Sequence, residues 1–175
     1  HPQTRVWILN RLDSASGAYN IPGAVRLGAE VDVDALATAI ADVVTRHEPL
    51  RTTFPDHDGE AFQLIHPPAE AAEATGLSVV DVTPADVDHA VAEFASAGFD
   101  LAAEYPIRAR LLRVAGAAAG AEHVLVLVMH HIIGDGASLG PLIKDVLTAY
   151  FARLHGTVPA WSALPVQYAD FALWQ

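Results

Sequence analysis

Two imidazoles and one carboxylate, those of His130, His131 and Asp135, fall within seven residues of the chain. They directly follow its most apolar run, Val124 to Met129, which predicts a buried strand. The stripe of apolar residues from Leu139 to Leu154 predicts an amphipathic helix after them. The polar cluster is therefore expected in a strand-to-helix turn, where functional side chains commonly project.

This cluster can support general base chemistry. Adjacent side chains in extended backbone point in opposite directions, so one histidine can face a cavity while the other faces the core. A neutral imidazole can accept a proton from an attacking amine or alcohol, or orient it, which is worth on the order of 100-fold to 10,000-fold in rate. Asp135 is expected to be buried in an apolar neighbourhood, where an ionised carboxylate requires a buried arginine or backbone amides as its partner.

The two glycines beside Asp135 fit the same chemistry. Gly134 and Gly136 permit backbone angles closed to other residues and let a substrate approach the main chain. Amides near Gly136, at the head of the predicted helix, are placed to face a developing oxyanion.

Two other interpretations of the cluster stay open at this point. Histidines with a nearby aspartate can bind zinc, although the H-E-x-x-H arrangement, a third ligand and cysteine are all missing. Gly134-Asp135-Gly136 is also ordinary in purely structural turns. The spacing alone does not choose among them.

Composition narrows the class of protein. The 175 residues, 52% of them hydrophobic, predict one folded domain or lobe. A net charge of −11 with ten scattered basic residues argues against nucleic acid and membrane-surface binding. The lack of cysteine excludes disulfides and thiol nucleophiles and is compatible with the cytoplasm, where we place the protein. Because the chain opens at His1 without a methionine, we expect it to begin partway through a longer polypeptide.

Periodicity predicts the elements that position the cluster. Predicted helices cover Gln3–Leu12, a segment capped by Asp32 or Asp34 and ended by Pro49, and a segment that starts at Pro84. Predicted strands cover Ile21–Leu27 and Ile107–Val114, the latter antiparallel to Val124–Met129, with a hairpin of Arg51–Phe54 and Phe62–His66. Ala69–Ala74 is expected to be loop. We predict an α/β (α+β) fold with an open mixed sheet covered by helices.

Five stretches, in order, resemble core motifs of the condensation domains of nonribosomal peptide synthetases. They are Gln3–Leu9 (end of the first motif), Arg46–Phe54 (RHExLRTxF), Phe99–Leu101 with Pro106–Ala109 (FDL…PLxRA), His130–Ser138 (HHxxxDG) and Tyr168–Trp174 (YxDYAxW). The resemblance covers essentially the whole chain, and five ordered matches are far more specific than one.

The resemblance implies a fold, a reaction and a set of partners. Residues 1–175 are expected to be the N-terminal, chloramphenicol-acetyltransferase-like lobe of such a domain, with the C-terminal lobe absent. The reaction is amide formation between a carrier-bound thioester donor and a carrier-bound aminoacyl acceptor, in the biosynthesis of a peptide antibiotic or siderophore. The substrates arrive on phosphopantetheine arms of donor and acceptor carrier domains, next to an adenylation domain, and no cofactor or metal is bound directly. We expect the lobe by itself to be inactive.

The resemblance also implies residue roles. His131 is catalytic, by deprotonating the amine or by positioning it, and Gly136 lies next to the reacting thioester. Asp135 is structural and pairs with an arginine, for which Arg51 is the candidate within this chain and an arginine of the absent lobe is the alternative. His130 is packed in the core. A packed or paired position in the core is also expected for Arg46, His47 and Tyr168. Ala137, where the family often has tryptophan or valine, and Ser138 line the substrate tunnel.

Three rivals share the motif. An epimerization domain commonly has tryptophan after the serine of the motif, where this chain has Leu139. A free-standing acyltransferase can carry HHxxxDG too. A catalytically silent domain of the same fold can recruit a tailoring enzyme.

The stretch Ser16–Pro22 resembles domains that join an L-configured donor to an L-acceptor.

Overall fold

The computed structural model describes residues 2–116 and 122–167. The helices in this part are α1 (Pro2–Leu12), α2 (Val33–Arg46), α3 (Pro68–Ala74), α4 (Val87–Ser96) and α5 (Leu139–Leu154). The strands are β1 (Asn20–Leu27), β2 (Thr52–Thr53), β3 (Asp56–His57), β4 (Glu60–Ala61), β5 (Leu64–Ile65), β6 (Ser78–Val82), β7 (Ile107–Val114) and β8 (Glu122–His130). Turns of 3-10 helix occur at Glu48–Arg51, Pro84–Asp86 and Gly136–Ser138. A bilayer-spanning segment is not found among the helices of this part of the chain.

Four strands form the main sheet, in the order β1-β8-β7-β6. Strand β8 lies between β1 and β7 and is antiparallel to both, whereas β6 is parallel to β7. A parallel pair needs a crossover connection, and α4 lies in that connection. The predicted open mixed sheet and the predicted antiparallel pair of β7 and β8 are therefore confirmed.

Helices cover both faces of the sheet, which explains why β8 is apolar without alternation. One face packs on α2 and α5, and its side chains from β8 are Leu125, Leu127 and Met129. The other face packs on α1 and α4, and its side chains from β8 are Val124, Val126 and Val128. Strand β8 is thus held at both edges and on both faces.

Polar contacts cap α2 and join it to α5. At the start of α2, the Asp32 carboxylate accepts a hydrogen bond from the Ala35 amide at 3.0 Å and caps the helix, as predicted. The Arg153 guanidinium of α5 donates to both oxygens of Asp42 in α2, at 2.8 and 2.7 Å. The predicted bounds of α5, Leu139–Leu154, are also confirmed.

Two elements depart from the sequence prediction. The expectation of a loop over Ala69–Ala74 is wrong, because these residues form α3 after Pro68. Alanine has the highest helix propensity, and proline suits the first helical turn. Strand β6 was not predicted, since its half-buried residues show no clear alternation. It becomes a strand by pairing with β7, where Asp81 also forms an ion pair with Arg113 at 2.9 Å.

The predicted hairpin after α2 is confirmed. Strand β2 pairs with β5, and β3 pairs with β4. The turn uses Asp58 and Gly59, whose φ angles of 53° and 83° lie in the left-handed region.

A backbone contact holds the loop before β1 against the end of α4. A methyl group at Gly98 would overlap the carbonyl of Ser14, and one at Gly17 would overlap the carbonyl of Ser96. The Asn20 side-chain amide of β1 donates to the carbonyls of Ala95 and Ala97, at 2.8 and 2.7 Å. The close approach therefore requires glycine at residues 17 and 98.

We predict that Gly98→Ala lowers the free energy of unfolding by about 2 kcal/mol or more, because backbone atoms must move apart. Gly140→Ala in α5 is the matched control. Its added methyl group meets nothing within 4 Å, so stability stays the same or rises by about 0.5 kcal/mol. Urea denaturation of both variants measures the difference, and equal stability of the two would contradict the contact.

Candidate active site

The polar cluster begins where β8 ends. His130 is the last residue of β8 and pairs with Asn20 of β1. The amide of His131 still donates to the carbonyl of Tyr19, at 2.9 Å. The chain then turns, and the Ile133 amide donates to the His130 carbonyl at 3.1 Å. Both histidines therefore belong to the anchored end of a central strand.

The His130 side chain lies in the core, with 1% of its surface exposed. Its ring centroid is 5.8 Å from that of Phe99 and 6.3 Å from that of Tyr19. Its Nδ1 accepts a hydrogen bond from the Ile132 amide at 3.1 Å. Burial, and secondly the neighbouring His131, lower the pKa of His130 from 6.5 to about 4. The ring is therefore neutral at physiological pH.

His131 lies on the other side of the strand end and is exposed. Within residues 2–116 and 122–167, no side chain hydrogen-bonds to its imidazole. The two histidines thus separate as alternating side chains should, one inward and one outward. The outward ring is the one that an approaching substrate can reach.

Asp135 is exposed and caps the start of the following helix. Its Oδ1 accepts hydrogen bonds from the Ser138 amide at 3.1 Å and from the Ser138 hydroxyl at 3.0 Å. The Asp135 amide in turn donates to Ser138 Oγ at 3.2 Å, which completes a capping box. The bonds to Ser138 lower the pKa of Asp135. The expected burial of Asp135 is wrong, whereas its contacts agree with the alternative in which backbone amides hold the carboxylate.

The expected salt bridge between Arg51 and Asp135 is also wrong. The Arg51 guanidinium donates to the carbonyl of His66 at 2.8 Å and lies 3.9 Å from the Glu48 carboxylate. It therefore joins its own 3-10 turn to the end of β5. Asp135 finds its partners within three residues instead. The alternative arginine, from an absent lobe, stays a prediction.

The two glycines of the turn matter because they have no side chain, not because they adopt unusual backbone angles. Neither Gly134 nor Gly136 has a positive φ, so the angles that glycine alone permits are not used at these two residues. A methyl group at Gly134 would lie 2.9 Å from Ser138 Oγ and would disturb the capping box. Gly136 is exposed, and a methyl group there would meet nothing within 4 Å. Its amide, at the start of the 3-10 turn, finds no acceptor among the described residues.

An open groove of about 430 Å³ lies beside this turn. It is lined by His47, Pro49, Leu50, Met129, Ile133, Asp135, Ala137, Ser138, Pro141 and Leu142. Most of these side chains are apolar, and Ala137 and Ser138 lie in its wall. His131 does not line it. Sequence reasoning missed Pro141 and Leu142, for which the apolar stripe of α5 was the only signal.

Arg46 and His47 connect α2 to α5 at the rim of the groove. Oδ2 of Asp145 lies 2.7 Å from His47 Nε2 and 3.4 Å from Arg46 Nε. The Arg46 guanidinium also lies over the ring of Trp161, 4.7 Å from its centroid. Both residues are thus paired at the edge of the core, as expected. Tyr168 lies outside the described residues.

The motif stretches meet around the turn through hydrogen bonds. These run from Gln3 Nε2 to the Ile132 carbonyl (3.0 Å), Trp7 Nε1 to the Phe54 carbonyl (2.9 Å), the Phe54 amide to the Leu101 carbonyl (2.7 Å) and the His130 amide to the Pro106 carbonyl (3.0 Å). Four segments far apart in sequence therefore form one site. The fifth stretch, Tyr168–Trp174, lies outside the described residues. No cluster of three or more histidine, aspartate or glutamate side chains suited to a metal ion occurs in residues 2–116 and 122–167.

Residues 1–175 match the family model of the condensation domain. This chain belongs to the condensation domain family. Over 173 residues it is 46% identical to the dimodular nonribosomal peptide synthase of Bacillus subtilis strain 168, a match that covers 99% of the chain and 7% of that protein.

Two solved structures share the fold, which is the chloramphenicol-acetyltransferase-like fold of condensation domains. The X-domain in complex with OxyB from teicoplanin biosynthesis has a TM-score of 0.88 and 35% identity, over 99% of this chain and 36% of that one. The starter condensation domain of rhizomide synthetase has a TM-score of 0.76 and 25% identity, over 92% of this chain and 38% of that one. The chain thus spans less than half the length of these relatives.

We predict that His130 makes the stability of the protein sensitive to acid. Because its pKa falls from 6.5 to about 4 on folding, the unfolded chain takes up this proton at a higher pH than the folded chain. The stability that comes from the neutral His130 ring is fully present above pH 6.5 and is lost as the pH falls to about 4. The loss in the free energy of unfolding is at most about 3 kcal/mol.

Urea denaturation between pH 7 and pH 4 tests this, with His130→Leu as the reference protein. Carboxylates titrate in both proteins, so the difference between the two pH profiles isolates His130. The wild-type protein should lose more stability than His130→Leu. Parallel profiles would contradict the assignment.

Proposed function

We propose that this chain is the N-terminal lobe of a condensation domain that joins two carrier-bound substrates through an amide bond. The α-amine of the acceptor attacks the thioester carbonyl of the donor. The new C–N bond forms, the C–S bond to the phosphopantetheine thiol breaks, and the amine loses a proton. The observation that carries this proposal is the exposed imidazole of His131, anchored at the end of a buried strand, together with the exposed and unobstructed backbone of Gly136 later in the same turn.

His131 acts on the acceptor amine. In its neutral form the imidazole accepts the proton of the amine, or holds the amine by a hydrogen bond so that its lone pair faces the carbonyl. Both roles need a fixed direction of approach. The bond from the His131 amide to Tyr19 and the packed ring of His130 support such a fixed direction.

Gly136 acts on the donor thioester. The carbonyl oxygen gains negative charge as the tetrahedral intermediate forms, and a backbone amide within hydrogen-bond distance stabilises that charge. The N–H of Gly136 can be this donor, because it has no acceptor among the described residues. The lack of a side chain leaves room for the thioester. The contacts between Asp135 and Ser138 keep the turn rigid while this happens.

Other parts of the synthetase complete the machinery. The donor and acceptor carrier domains deliver both substrates on phosphopantetheine arms, and an adjacent adenylation domain loads the amino acid. The C-terminal lobe supplies the rest of the tunnel and the arginine for Asp135. The groove lined by Ala137 and Ser138 is the share of the tunnel that belongs to this lobe. The lobe alone does not catalyse, since half of the walls that exclude water and orient the substrates belong to its partner.

A recruitment role is the second candidate. The likeness to the X-domain found in complex with OxyB favours it, because it shows a domain of this fold bound to another protein. In that case the chain would present a docking surface, and His131 would have no chemical part. The two proposals therefore differ in what happens when the imidazole is removed.

We predict that His131→Ala in the complete synthetase lowers the rate of amide formation by about 100-fold to 10,000-fold, because the proton acceptor is lost. Loading of both carriers should stay unchanged. His57→Ala is the control, since His57 lies on the exposed β3–β4 hairpin. Detection of the carrier-bound product by mass spectrometry measures the rate.

An unchanged product yield in His131→Ala would favour the recruitment role. Exchange of the α-proton of a carrier-bound residue, without amide formation, would favour epimerization. Wild-type turnover that does not depend on either carrier would favour a free-standing acyltransferase.

We also predict that Gly136→Ala lowers kcat by about tenfold or more while the free energy of unfolding changes by less than about 0.5 kcal/mol. The added methyl group meets no atom of the described chain, so it can hinder only an approaching substrate. Gly140→Ala, with the same open surroundings, should keep full activity. Equal rates for the two variants would show that the Gly136 backbone does not lie beside the thioester.

A further inference from the structure

His130 holds two of the three backbone amides that follow β8. The amide of residue 131 donates to Tyr19, the amide of Ile132 donates to Nδ1 of the His130 ring, and the amide of Ile133 donates to the His130 carbonyl. The turn that carries His131 is thus tied to His130 through both its side chain and its main chain. The bond from Ile132 to the ring is the one that a substitution can remove.

We propose that His130 is a positioning residue for His131, which acts by accepting the Ile132 amide at Nδ1. This inference rests on the proposed function. The backbone of His131 lies between an amide held by Tyr19 and an amide held by His130, so its direction is set on both sides. Loss of the second bond would leave the Ile132 amide buried without a partner and free the turn to move.

Packing alone does not account for an imidazole here. Nε2 of His130 is buried and has no hydrogen-bond partner in the described chain. Leaving a polar atom in that state costs stability, so an apolar side chain of similar size would fill the space between Phe99 and Tyr19 more favourably. What such a side chain lacks is an acceptor at the δ position. The acceptor is therefore the property that the position requires.

The same bond sets the tautomer of the ring. A neutral imidazole has one protonated nitrogen and one acceptor. Because Nδ1 accepts from the Ile132 amide, the hydrogen is on Nε2. This state is measurable apart from any activity, since the two ring nitrogens differ in their NMR chemical shifts.

A matched pair of variants separates positioning from packing. Asparagine and leucine are similar in size, but the Oδ1 of asparagine occupies the place of Nδ1 and can accept the amide two residues on. Leucine fills the same space without an acceptor. A pure packing role ranks His130→Leu above His130→Asn in every property, because leucine buries no polar atom.

The experiment measures kcat, the KM for the acceptor-loaded carrier and the unfolding midpoint of the complete condensation domain. We expect His130→Leu to lower kcat about 100-fold and His130→Asn less than about tenfold, with KM unchanged in both. A kcat for His130→Leu equal to or above that of His130→Asn would overturn the proposal. A wild-type domain without amide-forming activity would instead overturn the proposed function.

A second measurement needs no variant to be active. In the wild-type domain labelled with ¹⁵N-histidine, the signals that vanish in His130→Leu belong to His130. We expect the tautomer with hydrogen on Nε2. A signal from the tautomer with hydrogen on Nδ1 would overturn the proposal, because that nitrogen then has no lone pair for the Ile132 amide.

Discussion

The other elements of the fold depend on how β8 is enclosed. The strand is hydrogen-bonded to neighbours on both edges, and its side chains enter two separate cores. Because side chains alternate along a strand, its last residue, His130, has to enter the core that contains Phe99. The next residue, His131, then faces outward. The exposed imidazole of His131 is thus held at the end of a central strand, where the His131 amide still donates to the Tyr19 carbonyl.

Motif residues outside the turn hold the turn and its neighbouring segments together through hydrogen bonds to backbone groups. Gln3 donates to the carbonyl of Ile132, and Trp7 donates to the carbonyl of Phe54, whose own amide reaches the loop before β7. Buried backbone groups need such partners, and outside regular helices and strands side chains can supply them. The amide side chain of Gln3 and the indole of Trp7 thus serve as hydrogen-bond donors as much as packing groups.

Asp135 shows how a local contact can replace an expected distant one. Ser138, three residues further on, satisfies the carboxylate through its amide and its hydroxyl. The pattern of an aspartate followed three residues later by a serine is a capping signal that the sequence already contained. Arg51 lies in a different hydrogen-bond network, with His66 and Glu48. A pair of opposite charges in two motifs therefore did not imply a salt bridge between them.

The sequence by itself determined the long elements and the direction of the two histidines. The apolar runs of β8 and α5, the Asp32 cap and the alternation of neighbouring side chains are all local properties, so they were predictable. Only the tertiary structure decided that β6 is a strand and which partners Arg51 has. It also decided which side chains line the groove. These features depend on which distant segments come into contact, because their own residues permit more than one local structure or partner.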